Sequence, residues 1–365
     1  MAVTNGWGKG TQNNTIGWGK YQNTIDAGSV YADSYSGETV LIGASAAFSY
    51  SASSFHQGEA DPTPTITGTT GGTFSATPSG LSINSSTGTI DLDASTIQSY
   101  TITYTVSGVS AQQSLDVTAA PFANTNSFLF DGTDERMICS TNGLGLTSAV
   151  SISAWIKVPS GSTGGGGAAI QAFLAEDNLA SGQRNFTFGW RGSFANDFYF
   201  QVYHSNNSSN TELYSNVGDI NDGNWHHVVA TYDGTTTANA FKIYVDTVVT
   251  QKTASSTGMA NNSIGTLIGA TRSSSPTRFF EGHIDELAVW NTALSSTDVS
   301  TLYGSGTPSD ISSLSPLHWW RMGEQATFSN PGGTGDWTLV DQGSGGKNAT
   351  SVNMEESDRT TDIPS

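Results

Sequence analysis

The fold is decided by a stretch that opens with Asp222-Gly223-Asn224-Trp225-His226-His227-Val228-Val229-Ala230-Thr231-Tyr232-Asp233 and ends at Trp290. Its first apolar run lies between an Asp-Gly-Asn turn signal and an Asp-Gly turn, which predicts one strand between two turns. In the next run Phe241, Ile243 and Val245 share one face, because strand side chains alternate with a period of two. Two further apolar runs follow, around Ile268 and Ile284. Four strands in succession predict an antiparallel sheet.

In this order the four runs resemble the laminin-G-like members of the concanavalin A-like lectin fold. The matching positions are Trp225, His227, Val228, Ala230, Tyr232 and Asp233, then Tyr244-Val245-Asp246, Ile268-Gly269, Gly282, Ile284-Asp285-Glu286 and Asn291. Thr247 departs from the pattern, because the family usually has Gly at that turn. The resemblance covers residues 124 to 305 and implies a jelly-roll β-sandwich.

The composition indicates an all-β protein along the whole chain. Only 12% of the residues are charged and 42 are Gly, which suits short strands and turns better than helices. The formal charge of −18 should repel nucleic acid phosphates and anionic lipids. Cys139 is the only cysteine, which excludes an intrachain disulfide and a cysteine-rich zinc site. Because of the net negative charge, we expect no nucleic acid partner. Neither a bilayer-spanning apolar run nor a secretory signal is evident, so we expect no membrane insertion.

Residues 1 to 44 are predicted to form a docking arm. Trp-Gly-Lys occurs at residues 7–9 and again at residues 18–20, in a segment rich in Gly and Asn and poor in aliphatic side chains. Such a segment cannot fold by itself, because ordering each residue costs about 1–2 kcal/mol. We expect it to order against a partner through its large aromatic side chains, which are Trp7, Trp18, Tyr21, Tyr31 and Tyr35. The alternative is a floppy chain end.

The repeated Gly-Trp-Gly units ahead of β-rich modules resemble the start of structural proteins of marine tailed bacteriophages. This resemblance implies a virion protein on the outer surface of the particle, in either a capsid decoration or a tail appendage. It also implies that the arm binds other capsid or tail proteins, and that the chain forms homo-oligomers on the particle.

Residues 45 to 120 are predicted to form a small Ig-like or cadherin-like β-sandwich. Tyr and aliphatic residues alternate with Thr from Tyr100 to Val106, and Gly, Pro and Ser clusters separate the short apolar runs. We interpret this module as a spacer. It ends at Ala119-Ala120-Pro121, because Pro cannot continue the pairing of strands.

Residues 121 to 365 are predicted to form the concanavalin A-like domain. Ser295 and Asp298 resemble a capping box and Gly304 a stop signal, which predicts one short helix. The segment from Pro316 to Thr350 resembles the strand and loop that normally begin a domain of this family. It either pairs with residues 124 to 140 in a permuted order or starts an unfinished second copy. Pairing is favoured, because a lone aromatic strand would expose an apolar edge.

Aromatic runs near residues 186–203 predict a hairpin with one face available to sugars. Phe198, Phe200 and Val202 should face the core. The candidate glycan contacts are Trp190, Tyr199 and Tyr203, and the alternative is an ordinary exposed sheet face. A second functional class therefore stands beside the structural virion protein: a carbohydrate-binding adhesin or receptor-binding fibre that recognises host surface glycans.

The sequence predicts a non-enzymatic protein. The fold also houses glucan hydrolases, whose catalytic carboxylates alternate along one strand face, whereas adjacent Asp285 and Glu286 should face opposite sides of a strand. The lectin-like resemblance implies a Ca²⁺ ion instead, bound by Asp131 and Asp285 with Asp134 as a further candidate ligand. The alternative for Asp131 is that Asp131-Gly132 simply makes a turn.

Overall fold

The structure is a computed structural model that describes residues 43–162, 170–178, 183–192, 197–205, 208–217, 220–330 and 335–365. The predicted docking residues Trp7, Trp18, Tyr21, Tyr31 and Tyr35 lie outside the described residues. The chain divides into two compact units, one ending at Pro121 and one beginning at Phe122. Both are built almost entirely of strands. Within the described ranges, no helix has the length and apolar character that crossing a membrane requires.

The first unit is a small β-structure around one aromatic core. Its strands are β1 (Phe48–Ser49), β2 (Ser54–His56), β3 (Thr65–Ile66), β4 (Thr73–Thr77), β5 (Ser82–Ile83), β6 (Ile90–Asp91), β7 (Gln98–Val106) and β8 (Val109–Thr118). The main sheet has the order β2-β8-β7-β4. In β7 the predicted alternation is confirmed, since Tyr100, Ile102, Tyr104 and Val106 are buried and the Thr residues between them are half-buried. Phe74 and Tyr104 pack with their ring centroids 4.6 Å apart.

The second unit contains eighteen of the described strands. They are β9 (Ser127–Asp131), β10 (Arg136–Ser140), β11 (Val150–Lys157), β12 (Gln171–Asn178), β13 (Gln183–Arg191), β14 (Asp197–Tyr203), β15 (Asn210–Tyr214), β16 (Trp225–Tyr232), β17 (Phe241–Val245), β18 (Val248–Lys252), β19 (Thr266–Ile268), β20 (Glu281–Trp290), β21 (His318–Trp320), β22 (Met322–Gln325), β23 (Thr327–Phe328), β24 (Trp337–Leu339), β25 (Ala349–Val352) and β26 (Arg359–Thr360).

Seventeen of these strands, all except β22, form two sheets that enclose one core. The nine-stranded sheet has the order β15-β14-β13-β12-β19-β10-β25-β24-β23, and the eight-stranded sheet has the order β18-β17-β16-β11-β20-β9-β26 with β21 also paired to β20. Side chains from both sheets, among them Phe173, Phe200, Ile152 and Ile243, belong to one buried cluster. Sheets that share a core in this way form a β-sandwich, and the all-β prediction is confirmed.

The C-terminal segment completes both sheets. β25 pairs antiparallel with β10, with Met137 opposite Ser351. β26 pairs with β9, with Phe128 opposite Arg359. The pairing of β25 agrees with the predicted return of this segment to residues 124–140, whereas the aromatic strand β21 pairs with β20, with Trp320 opposite Leu287.

A short helix covers the outer face of the eight-stranded sheet. Helix α1 (Ser296–Tyr303) begins after Ser295, whose side chain forms the predicted capping box with Asp298, and it ends at Gly304 in the left-handed conformation. Val299 and Leu302 pack in a second apolar cluster with side chains of the sheet, including Trp290. Two 3-10 helices, Ser312–Leu314 and Glu356–Asp358, lie in the later connections.

The turn between β17 and β18 adopts the left-handed conformation at two successive residues. Asp246 has φ 46° and Thr247 has φ 73°, which explains why the family usually has Gly at this turn. The Asp246 carboxylate accepts hydrogen bonds from His226 Nδ1 at 2.7 Å and from the His227 backbone N–H at 2.8 Å. These contacts hold the turn although Thr is unfavourable there.

Candidate functional site

A bulge in β20 creates the most unusual polar site of the second unit. Ser153 pairs with Ala288 and Trp155 pairs with Asp285, so β20 has one more residue than β11 over this interval. Glu286 lies in the bulge with φ 47°. An extra residue redirects the side chains next to it. The prediction that Asp285 and Glu286 face opposite sides is therefore wrong, because it assumed a regular strand.

Three carboxyl groups converge at this bulge. One oxygen from each of Asp285, Glu286 and Glu324 lies within 4.8 Å of the others. Glu286 accepts hydrogen bonds from Trp319 Nε1 at 2.6 Å and from Arg321 Nε at 3.0 Å. We call Asp285, Glu286 and Glu324 the carboxylate cluster.

The start of the second unit closes the carboxylate cluster on one side. Asn124 Nδ2 donates a hydrogen bond to Asp285 Oδ2 at 2.8 Å. Glu324 Oε1 accepts hydrogen bonds from the backbone N–H groups of Thr125 at 2.5 Å and Asn126 at 2.9 Å. Two buried oxygens at the cluster, Asn124 Oδ1 and Glu324 Oε2, have no hydrogen-bond partner.

The electrostatics of the carboxylate cluster are unfavourable for three ionised groups. Burial, followed by the negative charges of Glu286 and Glu324, raises the pKa of Asp285 well above its ordinary range. Burial also raises the pKa of Glu286 to about 7, although the Arg321 guanidinium lowers it part of the way back. Two buried carboxyl groups and the half-buried Glu324 carry more negative charge than the Arg321 guanidinium offsets, which favours either protons or a cation.

The residues at the cluster fit a calcium ion. Ca²⁺ takes oxygen ligands at about 2.3–2.6 Å, and two ligand oxygens of one ion are then separated by up to about 5 Å. The spacing of the cluster agrees with that limit. Glu324 Oε2 and Asn124 Oδ1 have no hydrogen-bond partner. Each oxygen of Asp285 and of Glu286 accepts one hydrogen bond, which leaves each of these oxygens a further lone pair for an ion.

The other two predicted metal ligands lie elsewhere. Asp131 is opposite Glu281 in the sheet. Glu281 is four residues before Asp285, and four residues of a strand span about 13 Å. Asp131 Oδ1 accepts hydrogen bonds from the backbone N–H groups of Thr133 at 2.7 Å and Asp134 at 3.4 Å. The structure thus corrects the predicted ligand set: Asp131 stabilises its own turn, Asp134 is exposed in that turn, and only Asp285 belongs to the cluster.

One serine–histidine pair needs to be distinguished from a nucleophilic site. Ser153 Oγ lies 2.8 Å from His227 Nε2. Burial lowers the pKa of His227 to about 4, and His227 Nδ1 has no hydrogen-bond partner. A catalytic histidine needs a group that orients its other nitrogen. The neighbouring cavity, which Ser153, Trp155 and Glu286 help to line, has about 10 Å³, enough for about one water molecule.

A larger groove opens on the outer face of the nine-stranded sheet. Met137 and Ile268 belong to the core, so their neighbours Ile138 and Leu267, which pair across β10 and β19, face the other way. The groove has a volume of about 280 Å³. Its lining consists of Ile138, Ser140, Thr141, Asn178, Gln183, Ser263, Ile264, Gly265, Leu267, Ser273 and Ser274. Ile138 is 36% exposed, which gives the groove an apolar floor beneath hydroxyl and amide groups.

The structure changes the set of predicted glycan contacts. Trp190 is 0% exposed and packs in the core, because it shares a strand face with Phe186 and Phe188. It is therefore removed from the set. Tyr199 is on the outer face but only 3% exposed, and its ring packs 5.3 Å from that of Tyr214.

Tyr203 is the most accessible of the three predicted contacts. Its side chain is half-buried, and the Arg184 guanidinium lies 5.2 Å from its ring centroid. Arg184 also donates a hydrogen bond to the Tyr203 hydroxyl. Neither Tyr203 nor Arg184 is among the residues that line the groove.

The family comparison agrees with this architecture. Residues 131–300 match the model of the concanavalin A-like lectin/glucanases superfamily. The second unit contains a concanavalin A-like domain. A segment of the chain is also 30% identical over 115 residues to the sushi, von Willebrand factor type A, EGF and pentraxin domain-containing protein 1 of Rattus norvegicus. That match covers 30% of this chain and about 3% of the rat protein.

Solved structures similar to the chain are distant in sequence. A Bacteroides ovatus protein named as a candidate carbohydrate binder has a TM-score of 0.45 and 16% identity, with 87% of this chain and 98% of that chain covered. The CBM40 module of the Ruminococcus gnavus IT-sialidase has a TM-score of 0.37 and 12% identity, with 50% of this chain and 99% of that chain covered. Nothing about this chain is concluded from likenesses this distant.

Several residues of the concanavalin A-like domain could not be found from sequence. Glu324 meets Thr125 across 199 positions of the chain, and Asn124 meets Asp285 across 161. The first contact depends on the C-terminal segment returning to the start of the second unit, and the second depends on the pairing of β9 with β20. The one local signal was the adjacent pair Asp285-Glu286, because two acidic residues in an apolar strand are unusual.

Proposed function

We propose that the concanavalin A-like domain is a glycan-binding module. The observation that carries the proposal is the match of residues 131–300 to a family of lectins and glucanases, together with a complete two-sheet sandwich. Because a fold does not fix a function, the proposal also needs a surface that suits sugars.

The groove on the nine-stranded sheet supplies such a surface. Sugars present hydroxyl groups around their rings and apolar C–H faces. The amides of Asn178 and Gln183 and the hydroxyls of Ser140, Ser273 and Ser274 line the groove, and such groups both donate and accept hydrogen bonds. Ser274 Oγ already donates to Asn178 Oδ1 at 2.6 Å, and Ser140 Oγ donates to the Gly143 carbonyl oxygen at 2.9 Å. Ile138 offers an apolar contact to a ring face. Tyr203, half-buried beside Arg184, is kept as a candidate glycan contact outside the groove. A volume of about 280 Å³ suits one or two sugar rings, at the small end of ligand pockets.

We further propose that the module binds glycans without cleaving them. The described residues bring carboxyl groups together at the carboxylate cluster, as a hydrolase would. The cavity beside Glu286 has only about 10 Å³, however, so a glycosidic bond has no room there. The Ser153–His227 pair opens on the same small cavity.

The glycan-binding proposal is tested on a glycan array with the labelled full-length chain. Ile138→Glu should weaken binding to the preferred glycans by at least tenfold, because it places a charge on the apolar floor of the groove. Val248→Glu is the matched control, since Val248 is 59% exposed and lies on the other sheet. We expect this control to bind like the wild type.

Two outcomes would contradict the proposal. The wild-type chain could bind no glycan on the array while remaining folded by circular dichroism. Alternatively, Ile138→Glu and Val248→Glu could bind the preferred glycans with equal affinity, which would show that the groove is not the glycan-binding site.

We propose that Ca²⁺ occupies the carboxylate cluster and stabilises the module. Asp285, Glu324 and Asn124 would hold the ion, and Glu286 would add negative charge nearby. A bound cation would neutralise the excess charge and give the unpartnered oxygens of Asn124 and Glu324 a ligand.

We propose, on the resemblance of residues 1 to 44 alone, that the arm attaches the protein to the outer surface of a bacteriophage virion. The glycan-binding module would then face outward, toward host surface glycans. Deleting residues 1 to 44 should leave a soluble chain that no longer joins particles. Incorporation of the shortened chain at the wild-type level, measured on purified virions, would refute the docking role.

A further inference from the structure

A row of three side chains crosses the outer face of the eight-stranded sheet. Lys157 on β11 pairs with Trp225 on β16 and with His283 on β20. Ile156 and Ile284 belong to the core, so their neighbours Lys157 and His283 face outward. The Trp225 and His283 rings lie 5.7 Å apart. We call Lys157, Trp225 and His283 the cationic row.

The chain's own Asp362 lies on the cationic row. Its carboxylate accepts hydrogen bonds from Lys157 Nζ at 2.6 Å and from Trp225 Nε1 at 2.9 Å. His283 Nε2 is 3.8 Å from the same carboxylate. Ser127 Oγ donates a further hydrogen bond to the Asp362 carbonyl oxygen at 2.6 Å. Three strands and the start of a fourth thus converge on one short peptide segment.

The donors of the cationic row are arranged for a carboxylate. The Lys157 ammonium and the Trp225 indole N–H both donate to a single acidic group, and such charge-assisted hydrogen bonds are stronger than neutral ones. Burial alone would raise the pKa of Asp362, yet the hydrogen bonds from Lys157 and Trp225 hold it below its ordinary value. The arrangement is notable in a chain with only 13 basic residues and a net charge of −18.

Asp362 is partly exposed and can be replaced. The Lys157 side chain is 25% exposed and the Asp362 side chain 39% exposed. A partly exposed ion pair contributes only about 0–1 kcal/mol. The last paired residues before it are Arg359 and Thr360 of β26, so the segment from Thr361 onward can leave the row without breaking that pairing. Its departure would cost the Ser127 hydrogen bond and the burial of Pro364.

We infer that the cationic row is a carboxylate-binding subsite for an acidic sugar residue, and that Asp362 fills it in the absence of that ligand. The inference rests on the proposed glycan-binding function and adds a ligand class to it. The sugar carboxylate would take the place of the Asp362 carboxylate on Lys157, Trp225 Nε1 and His283. The half-buried Trp225 indole would contact the sugar ring, since aromatic faces pack against apolar surfaces.

Isothermal titration calorimetry of the full-length chain with trigalacturonate tests this inference. Asp362→Asn should bind trigalacturonate about tenfold more tightly than the wild type, because it removes the competing charge. Asp116→Asn, an exposed position of β8, is the matched control for the loss of one negative charge and should bind like the wild type. Adding Lys157→Met to Asp362→Asn should abolish the gain. The affinity for the methyl ester of trigalacturonate should be the same in Asp362→Asn as in the wild type.

Equal affinity of the wild type and Asp362→Asn for trigalacturonate would overturn the inference, and so would equal gains for the acid and its ester. A second variant, which lacks residues 361 to 365, tests whether the effect is specific to the Asp362→Asn substitution. It should show the same increase in affinity for trigalacturonate. If neutral glycans bind on the array and Asp362→Asn gains nothing, only the carboxylate subsite is refuted. If no glycan of either kind binds to any variant, the proposed function fails as well.

Discussion

Calcium at a hundredfold excess over its dissociation constant should raise the melting temperature of the protein by about 5–10 °C. Saturation at that level contributes about 2.7 kcal/mol to folding, and each kcal/mol corresponds to about 2–4 °C for a domain of 150–250 residues. The physical reason is the carboxylate cluster, where buried Asp285 and Glu286 have raised pKa values and the Arg321 guanidinium lowers that of Glu286 only part of the way back. The measurement is a thermal melt in calcium and in EDTA.

Single substitutions separate the carboxylate cluster from the site predicted by sequence. Asp285→Asn and Glu324→Gln should each remove most of the calcium shift, because each deletes a ligand charge. Asp131→Asn is the control and should keep the shift, since Asp131 caps its own turn. The reverse result, in which only Asp131→Asn loses the shift, would restore the sequence prediction and refute the cluster.

The calcium shift should grow with pH. Burial gives Glu286 a folded-state pKa of about 7, above its ordinary value of 4.5. In the metal-free protein its proton therefore adds stability that is complete below about pH 4.5 and lost as the pH rises through 7. Calcium competes with that proton, so the shift should be small at pH 5 and large at pH 8. An equal shift at both pH values would mean that the ion binds elsewhere.

Strand periodicity predicted most of this fold from sequence alone. In β14 the alternation of Phe198 and Phe200 with Tyr199 and Tyr203 predicted which row faces the core, and the structure buries the Phe row. The helix boundaries followed from Ser295, Asp298 and Gly304, because capping is a local property. The same alternation, applied to Phe186, Phe188 and Trp190, would have placed Trp190 in the core.

Strand periodicity could not predict the carboxylate cluster. A bulge shifts the faces of a strand, and periodicity cannot locate the extra residue. Asp285 and Glu286 therefore looked separated when they are close together. Glu324 is brought to them by the pairing of β21 with β20 and by its hydrogen bonds to the backbone of Thr125 and Asn126, and a contact across 199 positions leaves no local pattern. The sequence named one member of the cluster correctly, Asp285, because the family resemblance included its strand.

Loss of Arg321 should be among the most damaging changes in the second unit. Its Nε donates to Glu286 Oε1 at 3.0 Å, and the two side chains are 13% and 6% exposed. Its guanidinium also lies 4.1 Å from the centroid of the Phe122 ring. Removing one partner of a buried ion pair costs about 3–5 kcal/mol, because the other charge stays buried without compensation. We expect Arg321→Met to lose that amount at pH 8 in EDTA, measured by urea denaturation.

The pH dependence of this loss shows whether charge or packing is responsible. Without the guanidinium the pKa of Glu286 should rise further. In the Arg321→Met variant, Glu286 should therefore keep its proton at pH 5, and the variant should keep much of its stability there. Both should be lost toward pH 8. The double variant Arg321→Met/Glu286→Gln should recover part of the loss at pH 8. Arg136→Met, at a half-buried position whose guanidinium donates to the Asp134 backbone carbonyl, is the matched control and should cost less than about 1 kcal/mol. An equal loss at both pH values would assign the role of Arg321 to its contacts with Phe122 and Trp319, and the excess negative charge on which the calcium proposal depends would then be absent.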